Sequence, residues 1–234
     1  MTVVSSSTTL AIIPARGGSK GVPRKNLVDV AGRPLLAWTV DAVHAATAPI
    51  RCVVSTDDDE IADLALQLGS EVVFRPTELS SDESPTEPAL LHVLETLPDA
   101  ENTAVVVMLQ ATSPIRLRGT LDRALRMYSE NRVSSVVGVV SSSPFLWRGP
   151  IGSPSSLYDH FSRPRRQDLG SVDLVYRETG SLYVTSAQAL LRSGNRISGD
   201  TSLFVMDDVE GLDVDTYADL AEAERLLTGR ACGT

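Results

Sequence analysis

Short apolar runs alternate along the chain with segments in which apolar residues recur every three or four positions. The runs predict buried strands, and the periodic segments predict amphipathic helices. The predicted strands lie at residues 10–13, 50–55, 71–74, 103–109, 135–140, 181–185 and 202–206. The predicted helices carry their apolar faces within residues 35–43, 61–68, 90–97, 121–128, 187–191 and 217–227. This order predicts an α/β fold with a doubly wound, mainly parallel, Rossmann-like sheet, in which the very apolar strand 103–109 is central.

The alternation breaks between residues 141 and 180, where serine, proline and arginine accumulate without a regular period. The same segment contains large aromatic side chains at Phe145, Trp147, Tyr158, Phe161 and Tyr176. A solvated linker would rarely contain so many, and a large exposed apolar patch usually marks an interface. We therefore interpret the chain as a single domain spanning 1–234, with residues 141–180 as a sub-lobe at the centre of a homodimer.

Composition narrows the class of protein further. The chain has 234 residues, which is ample for the core of one domain. Its formal net charge is −9, and an acidic surface disfavours nucleic acid as a partner. No apolar run approaches the roughly 18 residues that span a membrane, so no membrane partner is expected. Cys52 and Cys232 show neither disulfide nor metal-site spacing. These features predict a cytoplasmic enzyme.

A basic, glycine-rich segment follows the first predicted strand, and we call residues 16–26 the opening loop. Its sequence is Arg16-Gly17-Gly18-Ser19-Lys20-Gly21-Val22-Pro23-Arg24-Lys25-Asn26. Glycine allows backbone N–H groups to approach an anion closely, and the cationic side chains neutralise its charge. The loop joins a strand to a helix, where phosphates bind well. It is not a Walker A loop, because Lys20 precedes Gly21. The segment predicts a triphosphate cradle, and a polar connection with solvated charges is the alternative.

Polar clusters also follow three later strands, where ligands of open parallel sheets bind. The cluster at residues 55–58 favours a helix N-cap. In the cluster at residues 110–116, Gln110 offers amide donors and an acceptor suited to a polyhydroxy substrate. A plain loop in which Thr112 and Ser113 cap the next helix is the alternative there.

The last cluster carries two carboxylates, Asp213 and Asp215, at positions i and i+2. On an extended backbone both project to one side, and Mg²⁺ takes one or two carboxylates together with phosphate oxygens and waters. The spacing therefore predicts a magnesium site. We expect Asp219 to be an ordinary surface acid and residues 207–210 to form a solvated turn.

The string from Ala11 to Asn26 resembles the first motif of the acylneuraminate cytidylyltransferases, the CMP-sialic acid synthetases. Residues 110–116 resemble the family's Gln-x-Thr-Ser-Pro-x-Arg motif, and the resemblance extends over about residues 10–227. It implies transfer of CMP from CTP to the anomeric hydroxyl of a nine-carbon 2-keto sugar acid of the sialic type, with release of pyrophosphate. Mg²⁺ is the implied cofactor, and CTP and the sugar acid are the implied partners.

The resemblance also implies roles for individual residues. Those expected at the reaction are Arg16, Lys25 and Asp215, and those expected on the metal are Asp213 and Asp215. Residues expected on CTP are Arg16, Gly17, Ser19, Lys20, Asn26, Arg75 and Ser84. Residues expected on the sugar acid are Gln110, Arg165 and Arg166, the two arginines serving either subunit. None of the histidines stands out as a general base.

One departure leaves the acceptor open. The family usually has Asn-Gly ahead of the strand that follows the sub-lobe, and this chain has Arg-Glu-Thr-Gly-Ser at residues 177–181. The resemblance implies that this position faces the sugar. A legionaminic-type, deaminated or eight-carbon (Kdo) acid is therefore an alternative acceptor. A non-catalytic nucleotide-binding protein of the same fold is the alternative from another class.

Overall fold

The computed structural model describes residues 8–81 and 83–231. The strands are β1 (Thr8–Pro14), β2 (Asp29–Val30), β3 (Arg33–Pro34), β4 (Ile50–Thr56), β5 (Glu71–Phe74), β6 (Thr103–Met108), β7 (Ser135–Ser142), β8 (Trp147–Arg148), β9 (Ser155–Ser156), β10 (Val175–Ser186) and β11 (Thr201–Val205). The α-helices are α1 (Leu35–His44), α2 (Asp59–Gln67), α3 (Glu87–Thr96), α4 (Thr120–Asn131), α5 (Ala187–Ser193) and α6 (Tyr217–Ala231). Every strand and helix predicted from the sequence is present.

In the described part of the chain, seven strands form one sheet in the order β11-β7-β10-β6-β1-β4-β5. Neighbouring strands are parallel except at β10, which is antiparallel to both β6 and β7. The prediction of a mainly parallel sheet with strand 103–109 at its centre is confirmed. The carboxyl ends of the parallel strands meet at one edge, where ligands of such sheets bind.

Helices cover both faces of the sheet. Successive side chains of a strand point to opposite faces, and the apolar side chains on each face need a covering layer. Leu10 and Ile12 of β1 enter one core with α3 and α5, while Ala11 and Ile13 enter the other with α1, α2 and α4. A smaller cluster joins Val214 to α6 through Ala223. This cluster anchors the segment that carries Asp213 and Asp215 beside the sheet edge.

The sub-lobe is more regular at its ends than the sequence indicates. β7 extends to Ser142, and β10 begins at Val175 rather than at residue 181. β10 changes register against β7 between Glu178 and Tyr183, and Gly180 there has a φ of +72°. This bulge interrupts the period-2 pattern, so the predicted start of the strand was wrong.

Aromatic rings cluster in the middle of the sub-lobe. Tyr158 lies edge-on to Phe145 and Trp147, with ring centroids 5.2 and 6.0 Å away. Trp147 and Phe161 remain 51% and 92% exposed. Such an exposed aromatic surface is consistent with an interface, and the homodimer stays a prediction.

In the part of the chain that the structure describes, no helix combines the length and apolarity needed to cross a membrane. Cys52 is buried, and burial raises the pKa of its thiol to about 11. Cys232 lies outside the described residues. The cytoplasmic location stays a prediction.

Candidate active site

A cavity of about 290 Å³ opens at the carboxyl edge of the sheet. The predicted site residues that line it are Arg16, Ser19, Lys25, Asn26, Arg75, Ser84, Gln110, Asp213 and Asp215. They come from four segments of the chain, and the first and last of them, Arg16 and Asp215, are 199 positions apart. Gly17, Lys20, Arg165 and Arg166 do not belong to this lining as described.

Two glycines bring the opening loop into close contact with the rest of the protein. A Cβ at Gly17 would lie 2.5 Å from Asp58 Oδ2, and the Gly17 N–H donates to Asp57 Oδ1 at 3.1 Å. A Cβ at Gly21 would lie 2.1 Å from the carbonyl oxygen of Asp215. These glycines therefore permit close packing against the ends of two other segments. The role of Gly17 on CTP stays a prediction, because its N–H is engaged by Asp57 in this structure.

The end of the opening loop is tied to the carboxylate pair. Lys25 is buried, and its Nζ donates to Asp215 Oδ1 at 2.9 Å and to the carbonyl of Val214. Asn26 is also buried, and its Nδ2 donates to the Arg16 carbonyl at 2.9 Å. The fold thus holds a lysine and an arginine of the loop on the same side of the cavity.

A second guanidinium joins Arg16 in the cavity. Arg16 Nη1 donates to the Ser81 carbonyl at 2.7 Å, and Arg75 is 8% exposed. Burial lowers the pKa of Arg75; nearby Asp57 opposes this shift, and Arg16 adds to it. Two cations in a half-enclosed polar site attract an anion, so this end of the cavity suits phosphate groups.

Residues 77–84 form one wall of the cavity. The Ser84 hydroxyl donates to the Glu78 carbonyl at 2.8 Å and lies 2.7 Å from the Ser81 hydroxyl. Ser81, which the sequence analysis did not single out, therefore helps to fix both Ser84 and Arg16. Asp82 in this segment lies outside the described residues.

The N-cap expectation for residues 55–58 is confirmed. The Asp58 carboxylate accepts from the Ile61 N–H at 3.0 Å, which caps α2, and it also accepts from Arg24. Its neighbour Asp57 was missed as a contact of the opening loop. The sequence could not distinguish the carboxylate that caps α2 from the one that contacts the opening loop, because the two aspartates are adjacent at the same helix N-terminus.

Gln110 lies against the bulge of β10. A Cβ at Gly180 would be 2.2 Å from Gln110 Oε1, so only glycine fits there. The neighbouring Thr179 is buried, and its hydroxyl donates to the Gly138 carbonyl at 3.0 Å. The bulge thus turns the Thr179 side chain into the sheet, and the expectation that residues 177–181 face the sugar stays a prediction.

The carboxylate pair has one buried and one exposed member. Burial raises the pKa of Asp213, a hydrogen bond with Thr112 opposes this shift, and Asp215 adds to it. Asp213 Oδ1 is buried and has no hydrogen-bond partner among the described residues, while Asp215 is exposed apart from its ion pair with Lys25. Within those residues no group of three or more His, Cys, Asp or Glu side chains could hold a metal. Two carboxylates with an unsatisfied oxygen nevertheless fit Mg²⁺, which takes its remaining ligands from phosphate and water.

Two acidic residues near the pair have structural roles. Asp219 accepts from the backbone N–H groups of Asp215 and Thr216 at 3.1 and 2.8 Å, so it caps α6. Glu210 was expected in a solvated turn, and this was wrong. It is fully buried and accepts from the Leu117 N–H at 2.8 Å and from the Thr120 hydroxyl at 2.6 Å. These donors satisfy a carboxylate that the sequence pattern places at the surface.

The arginines of the sub-lobe lie apart from the cavity lining. Arg165 is exposed and forms a two-pronged ion pair with Asp168, at 2.6 and 2.9 Å. Arg166 begins the short 3-10 helix Arg166–Asp168. Neither arginine lines the cavity of its own subunit, and their role on the sugar acid stays a prediction.

A basic loop and a carboxylate pair at the edge of this sheet define a protein of the nucleotidyltransferase class. Two solved structures share the fold. CMP:2-keto-3-deoxy-manno-octonic acid synthetase, complexed with CTP, superposes with a TM-score of 0.69 at 18% identity, covering 96% of this chain and 100% of that one. The 4-diphosphocytidyl-2C-methyl-D-erythritol synthase of Anaerococcus prevotii gives a TM-score of 0.68 at 14% identity, covering 94% and 98%.

Residues 10–213 match the family model of the cytidylyltransferases, and the chain belongs to this family. N-acylneuraminate cytidylyltransferase of Streptococcus agalactiae is 32% identical over 90% of this chain and 51% of its own length. CMP-N,N'-diacetyllegionaminic acid synthase of Legionella pneumophila is 33% identical over 93% of this chain and 95% of its own. Pseudaminic acid cytidylyltransferase of Campylobacter jejuni is 30% identical over the same shares. The chain thus spans about half the length of the first of these relatives and nearly all of the other two.

Proposed function

We propose that the protein transfers CMP from CTP to the anomeric hydroxyl of a nine-carbon 2-keto sugar acid of the sialic type and releases pyrophosphate. The observation that carries this proposal is the single cavity that joins the opening loop, Gln110 and the carboxylate pair. The names of the relatives support it, since each transfers a cytidylyl group to a sugar acid or makes a CMP-sugar acid.

In this proposal the cations of the cavity hold the triphosphate. Arg16, Lys20 and Lys25 neutralise the β- and γ-phosphates that leave, and Ser19 and Asn26 add hydrogen bonds. The reaction asks for little covalent chemistry from the protein, so positioning and charge stabilisation carry the rate. Arg75, which lies beside Arg16, and Ser84, on the wall formed by residues 77–84, hold the cytidine next to the phosphate end of the cavity.

Asp213 and Asp215 would hold the magnesium ion. When bound, Mg²⁺ supplies charge neutralisation at the transferring phosphoryl group. Lys25 contributes by keeping Asp215 in place through its 2.9 Å ion pair. Asp213 Oδ1, which is buried and has no hydrogen-bond partner among the described residues, would be one of the ligand atoms for this ion.

On the acceptor side, Gln110 orients the sugar hydroxyls. Arg165 and Arg166 of a partner subunit supply charge for the sugar carboxylate, so the proposal includes a homodimer. The exposed aromatic surface of the sub-lobe supports this arrangement.

A legionaminic-type acid is the second candidate acceptor. The Legionella pneumophila relative is 33% identical and matches over 95% of its own length. The nucleotide half of the proposal is the same for both acceptors.

Pyrophosphate release with CTP and a panel of sugar acids tests the proposal. We expect turnover with at least one nine-carbon acid, and a much higher kcat/KM with CTP than with ATP, GTP or UTP. Comparable kcat/KM with ATP would contradict the cytidylyltransferase assignment. Tight CTP binding without turnover of any acid would instead favour a non-catalytic nucleotide-binding protein.

A further inference from the structure

Arg116 is a half-buried cation that the reaction scheme above does not use. Its Nη1 donates to the Ser113 carbonyl at 2.7 Å and to the Thr39 hydroxyl at 2.8 Å. Its Nη2 donates to the Gln110 carbonyl at 2.9 Å and to the Ser181 carbonyl at 2.7 Å. One guanidinium therefore connects α1, the loop after β6 and the bulge of β10.

Of the two carbonyls that share Nη2, one belongs to Gln110, which lines the cavity, and the other to Ser181 of β10. Gln110 points its amide into the cavity, and Ser181 directly follows Gly180, against which Gln110 Oε1 packs. The ladder between β6 and β10 ends at the pair Met108–Tyr183, and just beyond it β10 also changes register against β7. At this edge Arg116 thus replaces the missing ladder contacts between the two strands.

The environment favours a guanidinium over an ammonium. Arg116 binds three carbonyls and a hydroxyl, and no carboxylate accepts directly from it among the described residues. Burial lowers the pKa of Arg116 to about 9, and the nearby carboxylates of Glu210 and Asp213 oppose this shift. A planar fork spans two separated carbonyls, whereas the point charge of lysine does not.

We propose that Arg116 is a positioning residue, which sets the spacing between Gln110 and the Gly180–Ser181 bend and thereby determines the affinity for the acceptor. It acts through these two segments without contacting either substrate. The inference rests on the proposed function, because it assigns Gln110 to the sugar acid.

A second cavity makes the inference testable by chemical rescue. It measures about 500 Å³, and Arg116 lies on its wall together with Trp38, Pro114, Leu117 and Leu121. Truncation of Arg116 would leave a guanidinium-sized space that opens into this cavity. A small guanidinium ion can therefore reach the vacated position from solvent.

The experiment compares Arg116→Ala and Arg116→Lys with the wild type. We expect the KM for the sugar acid to rise about tenfold or more in Arg116→Ala, with an intermediate rise in Arg116→Lys. The Kd for CTP, measured without acceptor, should stay within about twofold of wild type. Methylguanidinium at millimolar concentration, far below what unfolds proteins, should lower the raised KM, and tetramethylammonium should not.

Arg123→Ala is the matched control. Arg123 is exposed on α4 and donates to the Arg118 carbonyl and the Thr120 hydroxyl, so it makes the same kinds of bonds away from the cavity. Its kinetic constants should equal those of the wild type, with and without methylguanidinium.

Four results would overturn the inference. An unchanged KM in Arg116→Ala would show that the spacing does not matter, while the proposed function would stand on wild-type turnover. A general structural role would raise the Kd for CTP and the KM for the sugar acid together in Arg116→Ala. In that case methylguanidinium would restore the melting temperature but not the KM. If Arg116→Ala does not fold, an unchanged KM in Arg116→Lys decides against the inference. A wild type inactive with every acid would refute the proposed function and this inference together.

Discussion

Burial raises the pKa of the Asp213 carboxyl group above its ordinary value. Because the pKa is raised, the folded state prefers the neutral form, and ionisation of Asp213 at neutral pH costs stability. We expect Asp213→Asn to increase the free energy of unfolding at pH 7. The gain should shrink as pH falls and vanish below about pH 4, where the group is protonated in both states. Denaturant titrations at several pH values measure it.

Asp219 provides a control of opposite sign for that experiment. Hydrogen bonds from Thr216 and Asp215 lower the pKa of Asp219, so its ionised form stabilises the folded state. Asp219→Asn should lose stability at neutral pH, and the loss should disappear as pH falls through the lowered pKa. A gain in Asp213→Asn that does not depend on pH would show that its carboxylate is not the cause.

Asp215 and Asp219 are also predicted to differ in catalysis. Asp215→Ala should lower kcat on the order of 10²-fold or more, because the transferring phosphoryl group loses part of its metal site. Asp219→Ala should keep nearly normal kcat and lose about 1 kcal/mol of stability as a missing helix cap. Steady-state kinetics and thermal melting separate the two effects. Equal kcat values in both variants would mean that the metal site is misplaced.

At the scale of elements, the opening loop is held by close backbone contact. Gly21→Ala would place a methyl group against the Asp215 carbonyl oxygen, so the loop must move away from the carboxylate pair. We expect a loss of about 1–3 kcal/mol in stability, the usual cost of overpacking, and weaker CTP binding through displaced Lys25. Melting curves and CTP titration measure the two losses.

Gly18→Ala is the matched control within the same loop. An added Cβ at Gly18 meets no atom within 4 Å in the described residues. Its stability should therefore stay within about 0.5 kcal/mol of wild type. Equal destabilisation of both variants would indicate that loop flexibility, and not the contact with Asp215, decides stability.

At the scale of the whole molecule, the sub-lobe is predicted to form a homodimer. Phe161 and Trp147 are 92% and 51% exposed, and polar substitutions there should release monomers at micromolar concentration. Phe161→Ser with Trp147→Ser should also raise the KM for the sugar acid, because Arg165 and Arg166 of a partner would leave the site. CTP binding should persist. Sedimentation and kinetics measure these outcomes.

Leu66→Ser is the control for this change, since Leu66 on α2 is 59% exposed outside the sub-lobe. It should leave the sedimentation of the wild type unchanged. A wild type that sediments as a monomer and is fully active would refute both the dimer and the role of the partner's arginines.

The order and type of the elements followed from the sequence alone, because they depend on local periodicity. The alternation in β1, the helical spacing in α1 and the stop of α2 at Gly69 are all short-range signals. Most of the cavity lining was also predictable, since Gln110 and Asp215 follow predicted strands whose carboxyl ends must meet at one edge. Family membership was predictable as well, because the motif that indicates it is one contiguous string at residues 11–26.

Tertiary structure alone decided which polar groups serve the site and which hold the fold. Glu210 became a buried acceptor, and Thr179 turned into the sheet at a bulge that no local pattern marks. The hydrogen bond between Lys25 and Asp215 joins residues 190 positions apart, and the one between Arg116 and Ser181 joins residues 65 positions apart. A carboxylate, a threonine or an arginine has the same local pattern when solvated and when buried, and only the partners that folding brings to it determine its role.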